Sequence, residues 1–232
     1  MTLDVSVENG VATIALNRPE VRNALNLEMC DALVLETRKL DARLVFLRGN
    51  GPLFCGGADL NERKGKSEEW IRERRMRAFA AYAALEALPM PCVALVHGAA
   101  IGSGVEIAAA CDFIVATPEA TFRTPEAQRG TVGATQRLPR ILGKRLAKDL
   151  MFTGRALSAG EARDAGLVAR IGNLDEEQRV ISEAILKAPR LALELAKRTI
   201  DRGIELDPQG ALQAEIEAIE EQLAAGQWMG KA

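Results

Sequence analysis

Leu3, Val5 and Val7, then Val11, Thr13 and Ala15, alternate on either side of Asn9-Gly10. That dipeptide between alternating runs predicts a tight hairpin. Asn17-Arg18-Pro19 closes the second strand, and an apolar stripe from Leu25 to Leu40 predicts a helix. Leu44-Val45-Phe46-Leu47 and Cys92 to Val96 are short continuous apolar runs, the pattern of strands buried on both faces. Between them, Glu68 to Leu88 predicts a long helix stopped by Pro89 and Pro91. A helix from about Gly104 to Ala110 and two short strands, Phe113 to Ala116 and Ala120 to Phe122, follow.

The remainder is helical by pattern: Leu146–Phe152, Ser158–Ala165 with Ser158 and Glu161 as a capping box, Glu176–Lys187, Leu191–Arg202 and Gln209–Ala225. Alternating strands and helices in the first half predict an α/β fold with helices packed outside the sheet.

A length of 232 residues, 48% apolar and 27% charged, fits a globular chain with one sizeable core. The formal charge of −2, with no basic run interleaved with aromatics, gives no reason to expect nucleic acid. The longest apolar stretch, Cys92 to Val115, is broken by His97, Glu106 and Asp112, so no membrane span is expected. Met1-Thr2-Leu3-Asp4-Val5 lacks a signal-peptide profile, and a cytoplasmic location is expected. Cys30, Cys55, Cys92 and Cys111 are widely spaced and read as buried thiols. With His97 the only histidine, a His-based metal site is excluded. A nucleophile elbow at Ser103 fails because Ile101 and Val105 stand where glycines are needed.

Two turns carry candidate chemistry. Leu53-Phe54-Cys55-Gly56-Gly57-Ala58-Asp59-Leu60 follows one buried strand. His97-Gly98-Ala99-Ala100-Ile101-Gly102-Ser103-Gly104-Val105-Glu106 follows another and opens a helix, whose first N–H groups lack internal partners. Such turns usually serve packing. Two of them side by side could instead aim two N–H donors at one oxygen, the arrangement a thioester needs when it becomes an enolate. A nucleotide-phosphate site is disfavoured, since neither turn has the dinucleotide fingerprint and no Walker lysine follows. Glu106, among Val105, Ile107 and Ala108 to Ala110, either complements the helix dipole or moves protons. Glu126 after Phe122-Arg123-Thr124-Pro125 reads as the start of another helix, and Asp59 as a cap.

Taken together, these segments resemble the crotonase superfamily, the enoyl-CoA hydratase/isomerase family. The resemblance runs from Ile14 to about Ile171 and includes Asn23-Ala24-Leu25-Asn26, Cys111-Asp112, Thr135-Gln136-Arg137-Leu138, Thr153-Gly154 and Ala165-Gly166-Leu167-Val168. It implies a crotonase-like spiral of ββα units over residues 1–170 and a C-terminal helical region, 171–232, for packing into homo-trimers or hexamers. It implies an oxyanion hole from the N–H groups of Ala58 and Ser103. Glu106 and Glu126 match the two glutamates that flank a water in the family's hydratases, with Glu126 as donor at C2 and Glu106 as water-activating partner.

Arg22 matches a position that meets the CoA phosphates, although a solvated arginine would look the same. Ala24 and Leu60 would line the pantetheine passage, with Arg63 and Lys64 as further basic candidates. No cofactor is expected, since coenzyme A belongs to the acyl-CoA substrate. Met76, Phe79 and Tyr82 either wall an acyl pocket or pack in the core. The family's usual loop at 130–136 is about two residues longer, and its usual chain continues further past Gln227-Trp228-Met229. Arg123 stands where relatives often have a small residue, and either faces solvent or favours an acyl group bearing a carboxylate. An isomerase using one glutamate without water, and a non-catalytic acyl-CoA-binding or assembly protein, are the competing readings.

Overall fold

Asn9 and Gly10 both take positive φ, 51° and 80°, as a type I′ turn requires, and fold β1 (Leu3–Glu8) back on β2 (Val11–Leu16). The computed structural model describes residues 1–226, and Gln227-Trp228-Met229 lie outside the described residues. β3 (Leu44–Gly49), β4 (Cys92–Val96), β6 (Phe113–Ala116) and β9 (Arg170–Ile171) extend the hairpin into a six-stranded sheet ordered β1-β2-β3-β4-β6-β9, parallel beyond the first pair. A second, three-stranded sheet is formed by β5 (Ala99–Ile101), β7 (Thr121–Arg123) and β8 (Ala156–Ser158).

The chain crosses from one sheet to the other on every turn and then enters a helix. β4 leads to β5 and α3 (Ser103–Ala109), and β6 leads to β7 and then α4 (Arg137–Thr153). Earlier turns do the same with single bridges, Leu25 pairing with Ala58 and Cys55 with Ala100, before α1 (Leu27–Lys39) and α2 (Glu68–Glu86). This is the ββα spiral, and it stacks the segments after each short strand along one side of the molecule.

Both faces of the central strands β3, β4 and β6 are buried, as the continuous apolar runs require. Val45, Leu47, Ala94, Val96 and Ile114 face the main core, while Leu44, Phe46, Val93, Leu95 and Val115 face the other way. That second face is covered by Leu174 and Ile181 of α6 (Leu174–Lys187), so the segment after residue 170 helps to close the sheet. α7 (Arg190–Gly203) and α8 (Pro208–Ala224) pack against each other. α5 (Ala159–Asp164) begins with the expected capping box, Ser158 Oγ accepting from Glu161 N while Glu161 accepts from Ser158 N.

Several local expectations are corrected. In β2 the buried residues include Ala12, Ile14 and Leu16, whereas Val11 and Thr13 are half-buried and Val5 and Val7 of β1 are exposed. Ala15 is buried as well, so toward its end β2 is covered on both sides. Glu126 starts a single 3-10 turn, Ala127–Arg129, because Gly130 in left-handed conformation ends it. The helix expected at 146–152 begins at Arg137 and is interrupted at Gly143 (φ 74°). Met76 and Phe79 are exposed at 60% and 46%, so only Tyr82 of that trio is a core residue.

Candidate active site

Leu25 fixes the first turn. Its N–H donates to Gly57 O at 2.8 Å and its carbonyl accepts from Asp59 N at 2.9 Å. A parallel bridge of this kind turns the N–H of the intervening residue, Ala58, to the other side. The Leu25 carbonyl also accepts from Arg74 Nη2, and Arg74, 2% exposed, is held by Glu62 Oε1 at 2.6 Å. Asn23 locks the same segment from behind: its amide donates to Asn50 O, Leu53 O and Phe54 O, and its Oδ1 accepts from Arg18 N. Its φ of 51° lies in the left-handed region that asparagine tolerates. Asp59 accepts from Asn61 N, heading the 3-10 turn Asn61–Arg63, and pairs with Arg18 Nη1 at 3.0 Å.

Ser103 is the first residue of α3, and its N–H, like that of Ala58, has no acceptor among the described residues. Gly102 before it takes φ 53° and donates to Arg123 O at 2.7 Å, anchoring the turn to β7. The two turns touch: a Cβ on Gly57 would lie 2.7 Å from Ile101 O and 3.9 Å from Ser103 N. Only glycine permits that approach. The unpaired N–H groups of Ala58 and Ser103 therefore stand at neighbouring points on the wall of one cleft.

Both glutamates face the same cleft. Glu106 is buried one turn into α3. Glu126 Oε1 would sit 2.6 Å from a Cβ on Gly102, so its carboxyl lies directly over the residue preceding Ser103. Its Oε2 is shielded from solvent with no hydrogen-bond partner. Desolvation raises both carboxyl pKa values above the usual glutamate range. For Glu106 the Ala134 N–H opposes the shift and the charge of Glu126 adds to it; for Glu126 its own backbone N–H and the Arg129 charge oppose it.

Tyr82 closes the floor of the cleft; burial and the Glu106 charge push its pKa up, and the Ser103 side chain works against them. Phe79 stacks edge-on against Tyr82, with ring centroids 6.1 Å apart, and lines the cleft from its exposed rim. The loop at 131–133 packs over Glu126, with Gly133 against its Cγ, and is tied to α2 by Arg75, which donates to Thr131 Oγ1 and Val132 O.

Of the CoA-contact candidates, Leu60 and Arg63 line the cleft, whereas Arg22, Ala24 and Lys64 do not. Arg22 is exposed, and its carbonyl accepts from Gly56 N at 2.8 Å, beside the first turn. Ala24 O accepts from Arg18 Nη1. Arg123 turns its Nε to Gly154 O, outside the cleft, which leaves it no part in holding an acyl carboxylate. All four cysteines are free and buried, which raises the thiols of Cys30 and Cys55 to about 11 and about 12. No metal-holding group of side chains occurs among the described residues, and none of their helices is long and apolar enough to cross a membrane.

The sequence pattern of the enoyl-CoA hydratase/isomerase family matches residues 6–227. The chain is 39% identical to the mitochondrial enoyl-CoA hydratase domain-containing protein 2 of Bos taurus, covering 85% of this chain and 72% of that one. It is 34% identical to the crotonyl-CoA hydratase of Syntrophomonas wolfei, covering 91% and 85%. The crystal structure of enoyl-CoA hydratase from Bacillus anthracis superposes with a TM-score of 0.91 at 35% identity, covering 95% of this chain and 90% of that one.

Proposed function

The chain belongs to the enoyl-CoA hydratase/isomerase family, and from that premise we propose that it adds water to a 2-enoyl-CoA thioester, giving the 3-hydroxyacyl-CoA. The observation that carries this reading is the meeting of two unpaired amides and two desolvated carboxyls in one cleft. The thioester oxygen accepts from Ala58 N–H and Ser103 N–H. Glu106, ionised, takes a proton from water as the water oxygen bonds to C3. The C2–C3 π pair moves toward C1, building negative charge on the thioester oxygen, where two fixed donors stabilise it. Glu126, protonated, delivers its proton to C2. The proton left on Glu106 passes back to Glu126 after product leaves, so the pair turns over as a unit.

Two neighbouring acids in a desolvated site favour one shared proton, which suits one donor and one acceptor. Coenzyme A enters as part of the substrate, so this reaction calls for no further cofactor. Ala24 and Leu60 would flank the pantetheine arm, and Arg22, exposed beside the first turn, would meet the nucleotide phosphates. Assembly as a trimer or hexamer is part of the same reading, supported by Ile200 on α7, Ile204 just past its end, and Leu212, Ile216 and Ile219 on α8, all exposed.

Loss of the enoyl-thioester absorbance of crotonyl-CoA tests hydration directly. Folded protein that leaves the band intact while shifting a 3-enoyl-CoA to the 2-enoyl isomer would replace this reading by isomerisation, a reaction for which one glutamate suffices. Binding of acyl-CoA with no turnover of either would leave a non-catalytic protein.

A further inference from the structure

The wall of the cleft made by the 3-10 turn Asn61–Arg63 and by α2 is rich in positive charge. Arg63, Arg74 and Arg75 all line it. Of the carboxylates nearby, Glu106 feels the charge of Arg75 across the cleft, and Glu62 is already engaged: Oε1 accepts from Arg74 Nε at 2.6 Å and Oε2 from Leu27 N at 2.9 Å. Arg75 is directed to the loop, at Thr131 Oγ1 and Val132 O. Arg63 makes no side-chain hydrogen bond or ion pair among the described residues, and its Nε is shielded from solvent without a partner.

Arg63 is half-buried, and shielding its Nε from water costs stability unless something meets it. Desolvation, then the charges of Arg74 and Arg75, disfavour the charged form of Arg63, with the Glu62 charge opposing them, so an incoming anion would favour that charged form. Arg129 adds a further positive charge to the lining of the cleft and acts on Glu126.

We propose that the acyl group this cleft receives ends in a carboxylate, bound by Arg63 with Arg75 beside it, so that the substrate is the monothioester of an unsaturated dicarboxylic acid. The inference rests on the reading of the site as an acyl-CoA site. The anion belongs to the acyl end, because the Nε of Arg63 is closed to solvent and shares the cleft with Phe79, Tyr82 and the two glutamates. A hydrated nucleotide phosphate would meet the exposed Arg22, Lys64 or Lys66 instead. Guanidinium suits the role, since its planar fork matches a carboxylate with two parallel hydrogen bonds.

The test compares thioesters of equal length ending in carboxylate or methyl. Calorimetry with glutaryl-CoA and pentanoyl-CoA, neither of which can be hydrated, reads binding alone; glutaconyl-CoA and 2-pentenoyl-CoA read turnover. The wild-type protein is expected to bind glutaryl-CoA roughly ten-fold more tightly than pentanoyl-CoA, the scale of one charge-assisted hydrogen-bond pair. Arg63→Met should abolish that ratio, and Arg63→Lys, which guards against a folding failure of the first variant, should retain part of it. Equal affinity for the two thioesters in the wild type overturns the proposal. So does a loss in Arg63→Met that is the same for both thioesters and for free coenzyme A, which would assign Arg63 to the phosphates. Preference for glutaryl-CoA without hydration of any enoyl-CoA would sink the hydratase reading and leave this one standing; equal hydration of both enoyl-CoAs does the reverse.

Discussion

Arg18 Nη1 reaches Asp59 Oδ2 at 3.0 Å and, from the same nitrogen, the carbonyl of Ala24 at 2.6 Å. One side chain thus clamps together the two strands whose bridge turns the Ala58 N–H into the cleft. Asp59 is not among the residues lining the cleft. It positions an amide.

Asp59→Asn keeps the shape and removes the charge. It is expected to cost roughly 2 kcal/mol of stability, the scale of a hydrogen bond to a charged partner that is mostly buried. Urea unfolding measures that loss. A parallel fall in kcat with KM little changed would mark the effect as displacement of the Ala58 donor; an unchanged kcat would show that the turn holds without the clamp.

Glu106→Gln and Glu126→Gln, made separately, should each lower kcat for crotonyl-CoA hydration by about a hundred-fold or more, the usual contribution of a positioned acid or base. Binding of a saturated acyl-CoA should survive in both. Full activity in either variant would remove that residue from the mechanism and favour the one-glutamate isomerase.

Stability should fall with rising pH because of these same groups. The pKa of each glutamate is raised from 4.5 by desolvation, so the folded state holds their protons longer than the unfolded chain does. Their contribution is fully present below 4.5 and is lost as pH climbs through the raised folded values. Glu106→Gln should therefore flatten the dependence of unfolding free energy on pH above 4.5 and gain on the wild type as pH rises. An identical slope in the variant would mean that the carboxyl is not desolvated as the structure has it.

Gly57→Ala forces a Cβ to within 2.7 Å of Ile101 O at a φ of 98°. Both contact atoms belong to backbone, so the turns must part. A loss of roughly 2 kcal/mol or more is expected from the combined strain, together with loss of turnover, because Ser103 N lies 3.9 Å from the same point. Retention of wild-type activity would show that the two donors tolerate independent movement.

Exposed Ile200 on α7 and Ile204 just past its end lie four residues apart, and Leu212, Ile216, Ile219 and Leu223 repeat at helical spacing on α8. Sedimentation equilibrium should report a trimer or hexamer, and Ile204→Glu should shift it toward smaller species. A monomeric wild-type protein would mean that this apolar face serves something other than self-association.

The elements that could be read from sequence are those whose signal is local or doubly buried. Asn9-Gly10 specifies its own turn, and Cys92–Val96 and Phe113–Ala116 are apolar on both faces, so their bounds match the strands found. β5, β8 and β9 are two or three residues long and owe their existence to partners distant in sequence, which no window along the chain contains. Alternation along β2 locates two faces, and only the neighbouring layers decide how far each is covered.

The site divides in the same way. Family resemblance singled out Ala58, Ser103, Glu106 and Glu126, but the proximity of Gly57 to Ser103 N depends on two turns 46 residues apart in the chain. Arg63 reads in sequence only as a further basic candidate for coenzyme A contact, alongside Lys64, since a single 3-10 turn at Asn61–Arg63 has no periodicity that would show it facing the cleft. Asn23 carried a signal of its own, a turn-forming asparagine after Arg18-Pro19, although its three carbonyl partners lie 27 to 31 residues away.

Ser103 and Glu106 share the seven-residue helix α3, three positions apart. Neither can be repositioned without carrying the other along, so the spacing between oxygen-binding amide and acid is inherited as a unit. Arg63, Phe79 and Arg75 belong to other segments and carry no such obligation. A lineage descended from this chain could exchange one acyl tail for another by altering that wall alone, leaving the reactive end untouched through many generations of change.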